Sequence, residues 1–152
     1  MESANGLLGD QEPADQQEEV ILPAAFTLPY DPDQTLDPVT CADGMQQVAG
    51  SLIYEGLFRL DRQLEPQPWL CQSYTYDAAS LTYTFTLRSG VTFSDGSLLT
   101  ADEAAASLRL AMGESSRFSG RMGGVRSVTS QDGAVVVTLN RPNGALPALL
   151  DA

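Results

Sequence analysis

Four oxygen-bearing residues, Asp31, Asp33, Thr35 and Asp37, alternate along one short stretch, the spacing by which a loop offers side chains to a calcium ion. The position of such a loop that needs Gly holds Leu36, and the one that needs a bidentate Glu holds Ala42. Calcium is therefore not expected. Asp102 and Glu103 are adjacent carboxylates, the residue type of a general acid and base pair, but they open an alanine-rich segment where a helix dipole favours negative charge. We read them as helix-starting residues. Cys41 and Cys71 are too few for a zinc site built from thiolates, and with no His in the chain nothing completes one. A disulfide between the two, or two buried thiols, remain open alternatives. The glycine-containing "GRMGG" at 120–124 lacks the preceding strand and the Lys or third Gly of a phosphate loop. No Ser or Cys has an evident base beside it, so an enzyme is disfavoured, and no metal or cofactor is expected.

The elements that must position these residues follow from composition and pattern. Twenty acidic against eight basic residues give a formal charge of −12, which repels phosphate backbones and anionic headgroups. Nucleic acid and direct membrane insertion are not expected, since no stretch approaches the roughly 20 apolar residues that cross a bilayer. With 43% hydrophobic residues the 152-residue chain can bury one core. Residues 1–19, acidic and Gln-rich with almost nothing apolar to pack, read as a disordered tether, and the ordered domain as 20–152. From Val20 an apolar run punctuated by prolines predicts an extended edge strand and then a proline-governed loop.

In "MQQVAGSLIYEGLF", Met45, Val48, Ala49, Leu52, Ile53 and Leu57 recur at helical spacing, which predicts a helix over 44–56 with these residues on one face. Asp43 is its expected cap and Gly56 its stop. Short strands are expected in "LFRLD" and "WLCQSYTYD". In 81–88, Leu81, Tyr83, Phe85 and Leu87 alternate with Thr82, Thr84, Thr86 and Arg88, which predicts a half-buried strand. A short strand at "VTF", 91–93, leads to an Asp95-Gly96 turn. Thr100 and Glu103 form a capping box for a helix over 100–112, with Ala104, Leu108 and Ala111 on one face. A hairpin turns at Asp132-Gly133, with a strand over 134–139, and "GALPALLDA" opens a further helix.

Those segments carry a resemblance. "YEGL" at 54–57, "PWLC" at 68–71, "YTFTLR" at 83–88, "FSDG" at 93–96 and "TADEA" at 100–104 resemble the recurring pattern of the family 5 extracellular solute-binding proteins, the oligopeptide- and dipeptide-binding components of ATP-driven (ABC) importers. "TLDP" at 35–38 and "DGAVVVTLNRPNGALPALL" at 132–150 extend the likeness over nearly everything after the tether. The departures are Cys71 in place of the usual Ala and Glu103-Ala104 in place of Asp-Val.

The resemblance implies an α/β (α+β) domain with a mixed sheet and packed helices, part of one lobe of a periplasmic-binding-protein-like fold (type II, cluster C). It implies an N-terminal fragment without the second lobe, and peptide or another small solute as ligand. Implied partners are the membrane permease and ATPase subunits of an importer. The implied location is the extracellular face of the membrane or the periplasm, with a lipid anchor on the precursor. By position, the segment after "LDP", Cys41, Ala42, Asp43 and Gly44, and the aromatic of "SSRFSG", Phe118, are the implied ligand contacts. The plainer alternative has Phe118 buried and the loop merely capping a helix. The runner-up function is a non-transport interaction domain on the same fold.

Overall fold

The computed structural model describes residues 27–151. The expected tether and edge strand before residue 27 lie outside the described residues. Chain order is α1 (Gly44–Gly50), β1 (Phe58–Leu60), β2 (Pro66–Pro68), β3 (Cys71–Asp77), β4 (Thr82–Leu87), α2 (Ala101–Ala111), α3 (Ser119–Met122), β5 (Val125–Gln131), β6 (Ala134–Leu139) and α4 (Leu146–Leu149). β1 and β2 form a small hairpin, and the other strands make one sheet in the order β3-β4-β6-β5. Every pairing within these sheets is antiparallel, and the parallel element of the expected mixed sheet is confined to a single bridge, Phe58 with Asp151.

The sheet follows from side-chain alternation. Register sets Phe85 opposite Val135 and Tyr83 opposite Val137, with Val128 on the far side of Val137, and all five are buried. Thr82, Thr84 and Thr86 face the other way and keep solvent contact, as the two-residue period requires. Phe85 has no exposed surface and touches three rings, Phe58 at 5.7 Å, Tyr74 at 5.8 Å and Tyr83 at 5.6 Å between centroids. The β5–β6 turn puts Asp132 at φ 50° and Gly133 at φ 76°, the two left-handed residues of a type I′ hairpin. Gly96 at φ 88° closes the "FSDG" turn, where Gly96 N–H donates to Phe93 C=O at 2.9 Å. The short strand expected at 91–93 is reduced to one bridge, Thr92 with Leu98. β2, "PQP", was not legible as a strand because prolines are poor strand residues except at edges, which is where it lies.

α2 starts where Thr100 and Glu103 place it, the Glu103 carboxylate accepting from both the Thr100 N–H and its hydroxyl at 2.7 Å. It packs on β5 and β6 through Ala101, Ala105 and Ala111, with Ala104 and Leu108 at the margin. The packed face thus holds the expected Ala104, Leu108 and Ala111 and extends to Ala101 and Ala105. Small side chains there let the helix approach the sheet closely.

α1 departs most from expectation. Asp43 does cap it, accepting from Gln46 N–H at 2.9 Å, but the helix ends at Gly50 and its buried residues are Gln46 and Gly50. Met45, Val48, Leu52 and Ile53 are 47%, 48%, 68% and 59% exposed, so the apolar face points away from the core; only Leu57 goes in. The face turned inward carries Gln46, whose Nε2 donates to Asp31 C=O at 2.8 Å and ties the helix to the preceding loop.

Two outcomes follow. Phe85→Ala removes a buried ring with three aromatic neighbours, and chemical denaturation should show a loss of about 3–5 kcal/mol; a loss under about 1 kcal/mol would mean that the ring is not in the core. The second concerns acid. The carboxyls of Asp37, Asp61, Asp77 and Asp95 are held below their ordinary value, chiefly by the Val39 N–H, the Glu65 N–H, the Ser80 hydroxyl and the Ser97 hydroxyl respectively. Lowered folded-state values mean stability that is present above the unfolded Asp value of about 3.9 and is lost as pH falls through the folded values. Thermal melts from pH 7 down to pH 3 should stay level and then drop below about pH 4, and Asp→Asn at all four positions should flatten that drop.

Candidate functional site

The loop before α1 is stapled by its own oxygens. Asp31 Oδ1 accepts from Asp33 N–H at 3.0 Å, Thr35 Oγ1 from Asp37 N–H at 3.0 Å, and Asp37 Oδ1 and Oδ2 from Val39 N–H at 2.9 Å and the Thr40 hydroxyl at 2.8 Å. The alternation that suggests a cation loop is therefore turn chemistry. Among the described residues no group of three or more His, Cys, Asp or Glu is placed to hold a metal ion.

The implied ligand segment is only partly accessible. Cys41 is 1% exposed; its N–H donates to Asp37 C=O at 2.9 Å and its C=O accepts from Gln47 Nε2 at 3.1 Å. Asp43 is occupied as the cap of α1. Ala42 and Gly44 are exposed, so they are the two of the four that a ligand could reach.

Cys41 and Cys71 are free thiols, both buried. Each Sγ is turned onto the carbonyl two residues ahead, Cys41 to Asp43 C=O at 3.5 Å and Cys71 to Ser73 C=O at 3.1 Å. Burial pushes the Cys71 thiol up, which favours its protonated form.

Phe118 is buried at 7% exposure, with the Arg117 guanidinium 4.1 Å and that of Arg121 5.7 Å from its ring centroid. Its position matches the plainer of the two expectations. Yet the fold does bring the two implied segments together, and Arg117 is what joins them. Its N–H donates to Val39 C=O at 2.9 Å, its Nε to Pro38 C=O at 2.7 Å, and its guanidinium to Gln47 Oε1 at 3.3 Å. Sequence reasoning passed over Arg117; the one available signal was a forked donor beside an aromatic in a run of small residues. Val39 and Phe118 also line an open groove of about 490 Å³, whose walls include Leu52, Ile53, Phe93 and Leu108.

Sheet, covering helix and stapled loop define a class, the lobes of periplasmic-binding-protein-like folds. The solved structure of a solute-binding protein from A. tumefaciens R10, in complex with mannopinic acid, superposes with a TM-score of 0.71 at 31% identity, over 77% of this chain and 25% of that one. Residues 65–152 match the model of the bacterial extracellular solute-binding proteins, family 5, and the chain belongs to that family. A probable peptide ABC transporter periplasmic-binding protein of Sinorhizobium fredii is 33% identical over 115 residues, 75% of this chain and 22% of that protein. A glutathione-binding protein of Salmonella paratyphi A is 44% identical over 62 residues, 41% of this chain and 12% of that protein. The chain thus spans a quarter or less of each of these three proteins.

If Arg117 holds the loop, Arg117→Ala should speed hydrogen exchange at the amides of Val39 and Cys41 and lower stability by about 1–2 kcal/mol. Arg117→Lys should fail to restore protection, because a single ammonium cannot reproduce the two-nitrogen fork. Unchanged exchange at those amides in the Ala variant would remove Arg117 from this role.

Proposed function

We propose that this chain is the N-terminal portion, residues 20–152, of the ligand-binding lobe of a solute-binding protein serving an ATP-driven importer of peptides or related small solutes. The observation that carries the reading is the Arg117 junction. It sets the 38–44 segment, with exposed Ala42 and Gly44, beside Phe118 in a chain of this family. Ala42 and Gly44 are the contacts we assign to ligand. With small or absent side chains they let an extended ligand bring its own backbone close. Cys41, Asp43 and Phe118 act behind them, as buried anchor, helix cap and floor.

The relatives are named for peptide and glutathione, and the solved neighbour for mannopinic acid. A small polar solute is the ligand class these names share. By the same reading the partners are a permease and an ATPase, the site of action is outside the cytoplasmic membrane, and the chain performs no catalysis. No helix among the described residues is long and apolar enough to cross a membrane.

A lone wall leaves one side of any ligand in water while association still costs translational and rotational freedom. Isothermal titration of the 152-residue chain against a mixed peptide library should therefore give weak heats or none. A dissociation constant in the low-micromolar range or tighter would mean that these residues hold a complete site. For the transport reading itself, the natural polypeptide that carries this chain should melt at higher temperature with at least one peptide pool. No stabilisation by peptides, glutathione or opine-type acids would sink it.

A further inference from the structure

Gln46 is 1% exposed, yet its side chain is only half partnered. Nε2 donates to Asp31 C=O at 2.8 Å, which fixes the other terminal atom as the acceptor, Oε1. Oε1 is buried and has no hydrogen-bond partner among the described residues. A carbonyl oxygen in that condition forfeits the bonds it makes with water in the unfolded chain, and folded chains seldom leave one so.

Gln46 is also part of the wall of a cavity of about 40 Å³ between α1 and the loop before it. Leu36 and Pro38 give that cavity apolar lining, and Gln47, Ser51 and Arg117 bring polar groups to it. The Arg117 guanidinium bonds Pro38 C=O through Nε and Gln47 Oε1 through one Nη, which leaves further N–H donors on the same fork. The Ser51 hydroxyl donates to Val48 C=O at 2.7 Å and keeps its oxygen as an acceptor.

Size and charge narrow the occupant. Solute pockets run to about 300–1,000 Å³, far above this cavity, whereas one water needs only about 10–15 Å³. A cation could satisfy Oε1 but would meet the Arg117 guanidinium with no carboxylate in the lining to offset it. An anion could pair with Arg117 but cannot donate to Oε1. A small neutral molecule that both donates and accepts meets both demands. We propose that the cavity is the seat of a bound water molecule, which donates to Gln46 Oε1 and accepts from the Arg117 guanidinium. It ties Gln46 to the same fork that holds Pro38 and Gln47, so that the 31–38 stretch, α1 and Arg117 form one hydrogen-bonded unit. The assignment rests on neither family membership nor ligand identity.

A crystal structure at a resolution that shows ordered solvent should place a water within hydrogen-bond distance of both Gln46 Oε1 and the Arg117 guanidinium. In solution, magnetic relaxation dispersion of the water oxygen should count it as a long-lived internal molecule. Two variants separate this water from the bond to Asp31, because both lose that bond. Gln46→Met also removes the acceptor and should lose the dispersion amplitude of one long-lived water. Gln46→Glu keeps an oxygen at the end of a side chain of the same length and should retain it. Solvent density absent from the cavity, or a peak coordinated as a metal ion, would overturn the proposal. So would an unchanged amplitude in the Met variant, or an equal loss in both variants, which would tie the water to the Asp31 bond instead of to Oε1. Should neither variant fold, the crystal structure and the dispersion of the unaltered chain still decide between the outcomes. No readout involves a solute, so failure of the transport reading and failure of this one are separable.

Discussion

Phe85 lies with no exposed surface between Phe58, Tyr74 and Tyr83, and β6 supplies Val135 directly across from it. Burial of this one face of an antiparallel sheet is the constraint on which the rest depends. The face is roofed by α2, whose contact residues are alanines, so the helix sits close and its ends are fixed by what the sheet offers. Arg109 in the last turn donates to Val128 C=O at 3.2 Å, and the Ser130 hydroxyl bonds Asp102 in the first turn, so both ends of α2 are tied to β5. Because the core is built from rings and valines with few rotamers, it sets positions for neighbouring elements instead of adapting to them.

The loop before α1 inherits its order at one remove. Phe118 and Met122 are buried in the same cluster as Phe85, and they fix the backbone that carries Arg117. Arg117 then reaches out to Pro38, Val39 and Gln47. The chain of dependence runs from sheet face to Phe118, from Phe118 to Arg117, and from Arg117 to the segment ending at Gly44. A surface loop is thereby held by a rigid scaffold, the usual division of labour between connections and core. Both Cys41 and Phe118 are buried, and Phe118 belongs to the core cluster itself.

The sequence by itself determined what short-range physics controls. Asp43 capping α1, the Thr100–Glu103 start of α2, the Asp132-Gly133 hairpin and the alternation of β4 are each decided within a few residues, by one hydrogen bond, one positive φ or the period of a strand. The family was legible for the same reason, since its pattern consists of those local signals. The tertiary structure alone decided everything that needed residues far apart. It left the apolar side of α1 exposed and buried Gln46, which bonds Asp31 fifteen positions away. It left Cys41 and Cys71 as separate thiols, widened the packed face of α2 to Ala101 and Ala105, and joined Pro38 to Arg117 across 79 positions. Helical spacing shows that a face is apolar but not which surface will cover it, because burial is settled by the competition of all elements for one core and not by any segment alone.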